Sequence, residues 1–161
     1  MSAASLLEQL IRRFEGCRLR AYLCPAGVPT IGWGSTGPDV RLGETWTQAQ
    51  ADRRMALDAA AFLHGARQAV PMADTPGRQA ALADFAYNLG LTRLRGSTLR
   101  RKALRSDWPG VRVELSRWVR GGGRVLPGLA TRRAAEAALI DVVMRTAPSA
   151  VPPAPTGRVH P

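Results

Sequence analysis

The sequence has little cysteine, little histidine and no long apolar run, and each shortage limits what the protein can be. Among 161 residues there are two cysteines and two histidines. Two cysteines are too few for a disulfide framework, so we expect reduced thiols, as in the cytosol. His64 and His160 have no ligand-like neighbours in the sequence. We therefore expect no metal and no cofactor.

No stretch approaches the roughly 18 uncharged apolar residues that a membrane-spanning helix needs. The segment M-S-A-A-S-L-L-E-Q-L-I-R-R-F-E at the start also lacks a basic region followed by an apolar one. Neither a transmembrane segment nor a signal peptide is therefore predicted. The expectation is a protein that stays in the cytoplasm of the cell that makes it until an outside agent releases it.

Apolar residues make up 45% of the chain, which is typical of a folded globular protein. The net charge of +11 is unevenly distributed. Residues 1–90 carry a net charge of +1, whereas residues 91–161 carry +10, almost entirely from arginine. The C-terminal half could therefore bind an anionic envelope, nucleic acid or another acidic polymer, or it could be an ordinary solvated surface rich in arginine.

The first part of the chain predicts a helix followed by a small β-lobe at about 17–46. Apolar residues recur at helical spacing up to Phe14, with Ser5 as a candidate N-cap and Gly16 as a candidate stop, so Glu15 would end the helix. Alternation from Arg18 then predicts a strand, the segment C-P-A-G-V-P predicts a turn, and Thr30 to Trp33 predicts a second strand.

The remainder predicts helices. Thr47 and Gln50 form a candidate capping box for a linking helix at about 47–70, and Thr75-Pro76 begins a helix that should stop at Gly90. Further helices are predicted at 97–106, 110–120 and 128–145. The fold class is therefore α+β and mostly α, with a helical lobe at about 75–146, a catalytic domain at 1–146 and a Pro-rich flexible tail at 147–161.

Three residues form a candidate catalytic constellation across the first helix end and the following turn. Eight residues separate Glu15 from Cys24, and five separate Cys24 from Thr30. Glycoside hydrolysis needs an acid on one side of the sugar and a group that handles water on the other. Taken singly, each residue also has a structural interpretation: a solvated helix end, a buried small thiol and an ordinary strand residue.

The spacing Glu-x8-Cys-x5-Thr resembles the signature of phage-type lysozymes, the family 24 glycoside hydrolases. The resemblance extends over residues 18–37, the block F-A-Y-N-L-G at 85–90, the block at 96–102 and the segment 117–136. It implies a lysozyme-like fold with a cleft between two lobes. It also implies an endolysin that cuts the β-1,4 bond between N-acetylmuramic acid and N-acetylglucosamine in peptidoglycan and lyses the host cell.

By this resemblance Glu15 is the general acid, Cys24 takes the place often filled by Asp, and Thr30 helps to hold the attacking water. Cys24 could act as a base, as a nucleophile or by steering water. A free thiol has a pKa of about 8.5, so it is a weaker base than a carboxylate unless its thiolate is stabilised. Ser35 stands where many relatives have His, so an ion pair made by that His would be missing.

The resemblance also suggests substrate contacts and partners. Tyr87 and Asn88 match the block that faces the cleft, and Thr36 and Thr98 are weaker candidates. The structural alternatives are that Tyr87 only packs between helices and that Asn88 only caps the C-terminus of a helix. The implied partners are peptidoglycan glycan strands, the anionic envelope and a holin for release, and the protein should be monomeric.

Two other functions are compatible with the sequence. A lytic transglycosylase would cleave the same bond without water and leave 1,6-anhydro ends. A cationic protein without catalysis would bind an anionic envelope or nucleic acid through the C-terminal half. The second alternative lacks the interleaved aromatic and basic pattern of single-strand binders.

Overall fold

The computed structural model describes residues 1–141 of the 161-residue chain. This part is mostly helical, with two small antiparallel hairpins, so the predicted fold class is confirmed. In chain order the elements are α1 (Ala3–Phe14), β1 (Arg18–Leu23), β2 (Pro29–Gly32), α2 (Gln48–Ala69), α3 (Pro76–Leu89), α4 (Leu91–Gly96), α5 (Thr98–Ala103), α6 (Trp108–Leu115), β3 (Arg120–Gly121), β4 (Arg124–Val125) and α7 (Pro127–Ile140).

Helix α1 begins earlier and ends earlier than the sequence predicts. Ser2, rather than Ser5, is the N-cap, because the Ser2 hydroxyl accepts a hydrogen bond from the Ser5 amide at 3.1 Å. At the other end Glu15, rather than Gly16, stops the helix. The Glu15 amide still donates to Ile11 O at 2.8 Å, but its backbone is extended, with φ −97° and ψ 133°. Glu15 therefore lies just outside the helix.

Strands β1 and β2 form the predicted hairpin and place its turn next to Cys24. Tyr22 pairs with Thr30 and Leu23 with Pro29, and the register shifts between Tyr22 and Arg18. In the turn, the Cys24 amide donates to Val28 O at 3.0 Å. Both strands are short, so the hairpin depends on its packing against α2 for stability.

Helix α3 lies at the centre of the helical part, between α1, α2, α4 and α7. Its buried residues form an almost continuous run from Ala80 to Ala86 because neighbours cover several of its faces. The predicted start at Thr75-Pro76 and the predicted stop at Gly90 are confirmed. The Thr47–Gln50 capping box at the start of α2 is confirmed as well.

Backbone contact between α3 and α7 requires glycine at position 77. A Cβ atom built on Gly77 would lie 2.1 Å from the carbonyl oxygen of Leu139, far inside van der Waals contact. Since that oxygen belongs to the backbone of α7, the clash can be relieved only by moving the helix. The close approach seats α7, and with it the charged residues described below, against α3.

We expect Gly77→Ala to lower the free energy of unfolding by roughly 1–3 kcal/mol, the usual cost of overpacking. Thermal unfolding followed by circular dichroism measures the effect. Gly128→Ala is the matched control, because a Cβ atom on Gly128 of α7 has no neighbour within 4 Å. Equal melting temperatures for the two variants would show that α3 and α7 accommodate a Cβ atom at position 77 without loss of stability.

The C-terminal helices differ in their bounds from the predictions. The helix predicted at 97–106 corresponds to the shorter α5, with Ser97 as its N-cap, and α4 before it was not predicted. In place of 110–120, α6 begins at Trp108, since the Asp107 carboxylate caps it by accepting from the Gly110 amide at 2.9 Å. The glycine-rich connector contains the β3–β4 hairpin, which was not predicted.

The predicted helix at 128–145 corresponds to α7 as far as Ile140, and its last residues lie outside the described part of the chain. The predicted tail at 147–161 also lies outside it. No helix within residues 1–141 combines the length and apolar character needed to cross a bilayer.

Candidate active site

Glu15 lies where the chain leaves α1 and enters the β1–β2 hairpin. Its side chain is 25% exposed, and its Oε1 accepts a hydrogen bond from Arg132 Nη1 on α7 at 2.6 Å. The contact joins residues 117 positions apart in the sequence. Glu15 is therefore a partly exposed carboxyl with one oxygen fixed by a cation.

Arg132 is in turn held by Asp84 on α3. Two parallel hydrogen bonds, from Arg132 Nε and Nη2, reach the two Asp84 oxygens at 2.8 Å each. Both side chains are buried. Burial opposes the charge of Arg132, but the hydrogen bonds and charge of Asp84, together with Glu15, outweigh it and keep the pKa of Arg132 above its ordinary value. A permanently charged, rigid guanidinium therefore orients Glu15.

The second oxygen of Glu15 faces the loop that follows the hairpin. A Cβ atom on Gly34 would lie 3.6 Å from Glu15 Oε2, and Gly34 has φ +90°, which disfavours any other residue. Gly34 also contributes to the wall of a cleft of about 290 Å³. The other residues lining this cleft are Ser35, Thr36, Asp58, Phe62 and Tyr87.

Cys24 and Thr30 meet at the turn of the hairpin. The backbone amides of Val28 and Ala26 stabilise the thiolate and lower the pKa of Cys24 below its ordinary value, against an opposing effect of burial. The Thr30 hydroxyl also lies 3.0 Å from Val28 O, to which it donates. The turn therefore stabilises the thiolate of Cys24, which the sequence alone could not establish.

Ser35 occupies the position at which the family resemblance implies a histidine in many relatives. The Ser35 hydroxyl donates to Asp58 Oδ2 at 2.7 Å, while Arg54 Nε donates to Asp58 Oδ1 at 2.9 Å. The Ser35 contact ties the loop that follows the hairpin to α2, whereas the Arg54 contact lies within α2. Asp58 therefore still has a hydrogen-bonded and a charged partner, but the cation comes from its own helix.

The predicted substrate contacts separate into two groups. Thr36 and Tyr87 line the cleft, and the Tyr87 hydroxyl donates to Trp33 O at 2.8 Å. Asn88 is half-buried, and its Oδ1 accepts from Arg133 at 3.1 Å. Thr98 begins α5, where its hydroxyl accepts from Arg101 at 2.7 Å. The structure thus brings Thr36 and Tyr87 to one cavity and places neither Asn88 nor Thr98 in its lining.

Sequence reasoning missed the charged residues behind Glu15. Asp84, Arg132, Arg133 and Glu136 are all buried. A signal existed for Asp84, a single acid within the apolar run of α3. Arg132, Arg133 and Glu136 lay inside the segment 117–136 but carried no assigned role. Arginines are abundant in this half of the chain, so nothing local marked these two as buried.

Glu15, Cys24 and Thr30 provide a carboxyl, a thiol and a hydroxyl, and none of the three is among the residues that line the cleft. Within residues 1–141, no three His, Cys, Asp or Glu side chains are grouped so that they could hold a metal ion. Acid–base chemistry on a neutral, polar ligand in the cleft fits these groups.

Comparison with known proteins gives a consistent result. A family model described as "Phage lysozyme" matches residues 12–136. The endolysin of Acyrthosiphon pisum secondary endosymbiont phage 1 is 35% identical over 136 residues, which cover 82% of this chain and 92% of that protein. The endolysin of Bacillus phage PZA is 37% identical over 137 residues, and there the match spans 82% of this chain but about half, 52%, of the relative's length.

A solved structure agrees with these sequence matches. The endolysin from Escherichia coli O157:H7 phage FAHEc1 superimposes with a TM-score of 0.76 at 28% identity. The superposition covers 88% of this chain and 94% of that one. The structural similarity therefore extends over most of the chain.

Proposed function

This chain belongs to the phage lysozyme family, and we propose from that premise that it is an endolysin. It hydrolyses the β-1,4 bond between N-acetylmuramic acid and N-acetylglucosamine in peptidoglycan and so lyses the host cell. Glycan strands are its substrate. It acts as a monomer and remains in the host cytoplasm until a holin releases it to the wall.

The placement of Glu15 supports this proposal most directly. One oxygen is fixed by Arg132, and the other faces Gly34 at the edge of the cleft. A general acid has to hold its proton on an oxygen that is free to face the leaving group. Glu15 Oε2 meets that requirement, since Oε1 is occupied by the guanidinium.

Cys24 and Thr30 take the water-handling role in the proposed mechanism. The turn amides favour a thiolate at Cys24, which can accept a proton from water. Because the Thr30 hydroxyl gives its proton to Val28 O, its oxygen is left to accept a hydrogen bond from the same water. Water activated in this way attacks the sugar while Glu15 protonates the departing oxygen.

Substrate binding is proposed for Thr36 and Tyr87, which line the cleft, with Asn88 and Thr98 as outer contacts. We further propose a division into a β-lobe at about 17–46, a linking helix at about 47–70 and a helical lobe at about 75–146, with the cleft between the two lobes. Exposed arginines after residue 90, among them Arg93, Arg95 and Arg101, suit binding to the anionic envelope.

The mass of the released muropeptides tests the chemistry. Digestion of purified sacculi should give reducing ends, because water is added across the glycosidic bond. Products lighter by one water would instead identify a lytic transglycosylase. A matched digestion with Glu15→Gln should release nothing above the background without enzyme.

Clearing of outer-membrane-stripped cells, followed as loss of turbidity, tests lysis itself. Wild type should clear the suspension, and Glu15→Gln should not. Equal clearing by both proteins would favour the cationic alternative, in which the basic half disrupts the envelope without catalysis.

A further inference from the structure

Glu136 lies behind the proposed active site and has no contact with the cleft lining described above. It is on α7 and fully buried, with 0% of its side chain exposed. Its Oε1 accepts from Arg133 Nη2 at 2.6 Å. Its Oε2 is buried and receives no hydrogen bond from any donor within residues 1–141. A buried ionised carboxylate with an unpaired oxygen would be costly, so this oxygen needs an explanation.

A second buried carboxyl, Asp84 of α3, is a neighbour of Glu136. The two side chains are within hydrogen-bonding reach of each other. Two ionised carboxylates in a buried contact repel each other, whereas a protonated one donates to its neighbour. Asp84 already accepts two hydrogen bonds from Arg132, so Asp84 holds the charge. The proton belongs on Glu136 Oε2.

The charges of the whole cluster support the same assignment. Asp84 faces Glu136 from α3, Arg132 and Arg133 face it from its own helix, and Glu15 joins through Arg132. With Glu136 ionised, two buried carboxylates, Asp84 and Glu136, would lie in contact. With Glu136 neutral, that repulsion is absent and Asp84 keeps its two hydrogen bonds from Arg132. Burial and the contact with Asp84 correspondingly raise the pKa of Glu136 well above its ordinary value.

We propose that Glu136 is a neutral carboxylic acid that donates a hydrogen bond from Oε2 to Asp84 and thereby positions the chain Asp84–Arg132–Glu15. Glu136 is a positioning residue, since it acts on the reaction only through Asp84 and Arg132. The positioning part rests on the proposed role of Glu15, whereas the protonation of Glu136 does not.

The substitution Glu136→Gln tests the protonation without using activity. Glutamine reproduces the neutral acid: its oxygen can accept from Arg133, and its amide can donate to Asp84. In the wild type, the folded chain keeps a proton that unfolded Glu136 releases above a pKa of about 4.3. The stability that this proton contributes is fully present at pH values below the pKa of unfolded Glu136. As the pH rises above it, the folding equilibrium constant falls by up to tenfold for each pH unit.

The melting temperature of Glu136→Gln should therefore rise relative to wild type by roughly 3 °C per pH unit between pH 5 and pH 8. Glu114→Gln is the matched control, because Glu114 is buried but contacts two cations, Lys102 at 3.4 Å and Arg117 at 3.3 Å. Its difference from wild type should not grow with pH. If Glu136→Gln is destabilised equally at every pH, Glu136 is ionised and the proposal is wrong.

Infrared spectroscopy gives an independent readout. The measurement uses the Glu15→Gln background, because Glu15 is itself a proposed proton donor. A protonated carboxyl has a carbonyl stretch separate from that of carboxylate, and this band should be present in Glu15→Gln at pH 7. It should disappear when Glu136→Gln is added and persist when Glu114→Gln is added. A band that survives the addition of Glu136→Gln, or no band in Glu15→Gln alone, overturns the assignment.

The positioning role is tested by adding Glu136→Met, which fills similar space but cannot donate to Asp84. We expect kcat to fall roughly ten- to hundredfold with little change in KM, because Glu15 is less well oriented. Glu136→Gln should stay within about twofold of wild type, since it restores the donor. Wild-type kcat in Glu136→Met would refute the positioning role. Loss of lysis in Glu15→Gln is a separate result and tests the proposed function alone.

Discussion

Glu15→Gln should lose lytic activity by roughly 10²–10⁴-fold, the usual contribution of general acid catalysis. Glutamine has the same shape, but it has no proton to give to the departing sugar oxygen. Its amide oxygen can still accept the hydrogen bond that Arg132 now gives to Oε1 at 2.6 Å. We therefore expect the variant to fold and to keep its substrate affinity. The rate of turbidity loss and binding to purified sacculi measure the two properties.

Glu8→Gln is the control for this experiment. It is the same substitution on the same helix, α1, at a position that takes no part in the proposed site. Its lytic rate should equal that of wild type. If Glu15→Gln keeps more than about a tenth of the wild-type rate, the loss is smaller than a general acid normally supplies, and Glu15 does not have that role.

The sequence predicted the fold best where the determining interaction is local. The Thr47–Gln50 capping box, the Thr75-Pro76 helix start and the stop at Gly90 each depend on residues within one turn of one another. Such signals can be identified in the sequence without knowing the tertiary structure. The fold class and the family resemblance were correctly predicted on this basis.

Helix ends were predicted less well where several residues compete. Ser2 and Ser5 are both suitable caps, and the structure selects Ser2 because one more turn of α1 then buries Ala3 against the core. The β3–β4 hairpin was missed because strands of two residues have no measurable alternation. These errors change the bounds of elements but not their packing.

The support behind Glu15 could not have been predicted from local patterns. Arg132 contacts Asp84 and Glu15, which are 48 and 117 residues away in the sequence. Only the packing of α1, α3 and α7 around one point selects Arg132 for this contact among many arginines. The same packing requires glycine at position 77, where α3 approaches the backbone of α7. The candidate catalytic residues could therefore be named from the sequence, but the residues that orient Glu15 could not.

Cys24 carries the second large expected effect. Cys24→Ala should lose most of the lytic activity, because alanine can neither accept a proton from water nor carry charge. Cys24→Asp should keep substantial activity, since a carboxylate can take the proton from water. The family resemblance also implies that Asp often fills this position. Cys17→Ala is the matched control: Cys17 precedes β1, and its thiol lies 3.9 Å from Gln48 Oε1. Its lytic rate should be that of wild type.

Alkylation should report the state of the thiol directly. Both cysteines are free, so the experiment uses the Cys17→Ala background, in which iodoacetamide can react only with Cys24. The modification should inactivate the enzyme, and bound oligosaccharide should protect it. The thiolate is the reactive form, so the rate of alkylation should rise with pH through the pKa of Cys24.

That midpoint should lie below the midpoint of the same thiol in denaturant, because the Val28 and Ala26 amides favour the thiolate in the folded protein. In denaturant these groups are lost, and the midpoint should return to the free value. The lytic rate should increase with pH over the same range as alkylation of the folded protein, since the thiolate is the proposed base. If Cys24→Ala lyses cells as fast as wild type, the thiol only packs the turn. Glu15 would then act on water held by Thr30 alone.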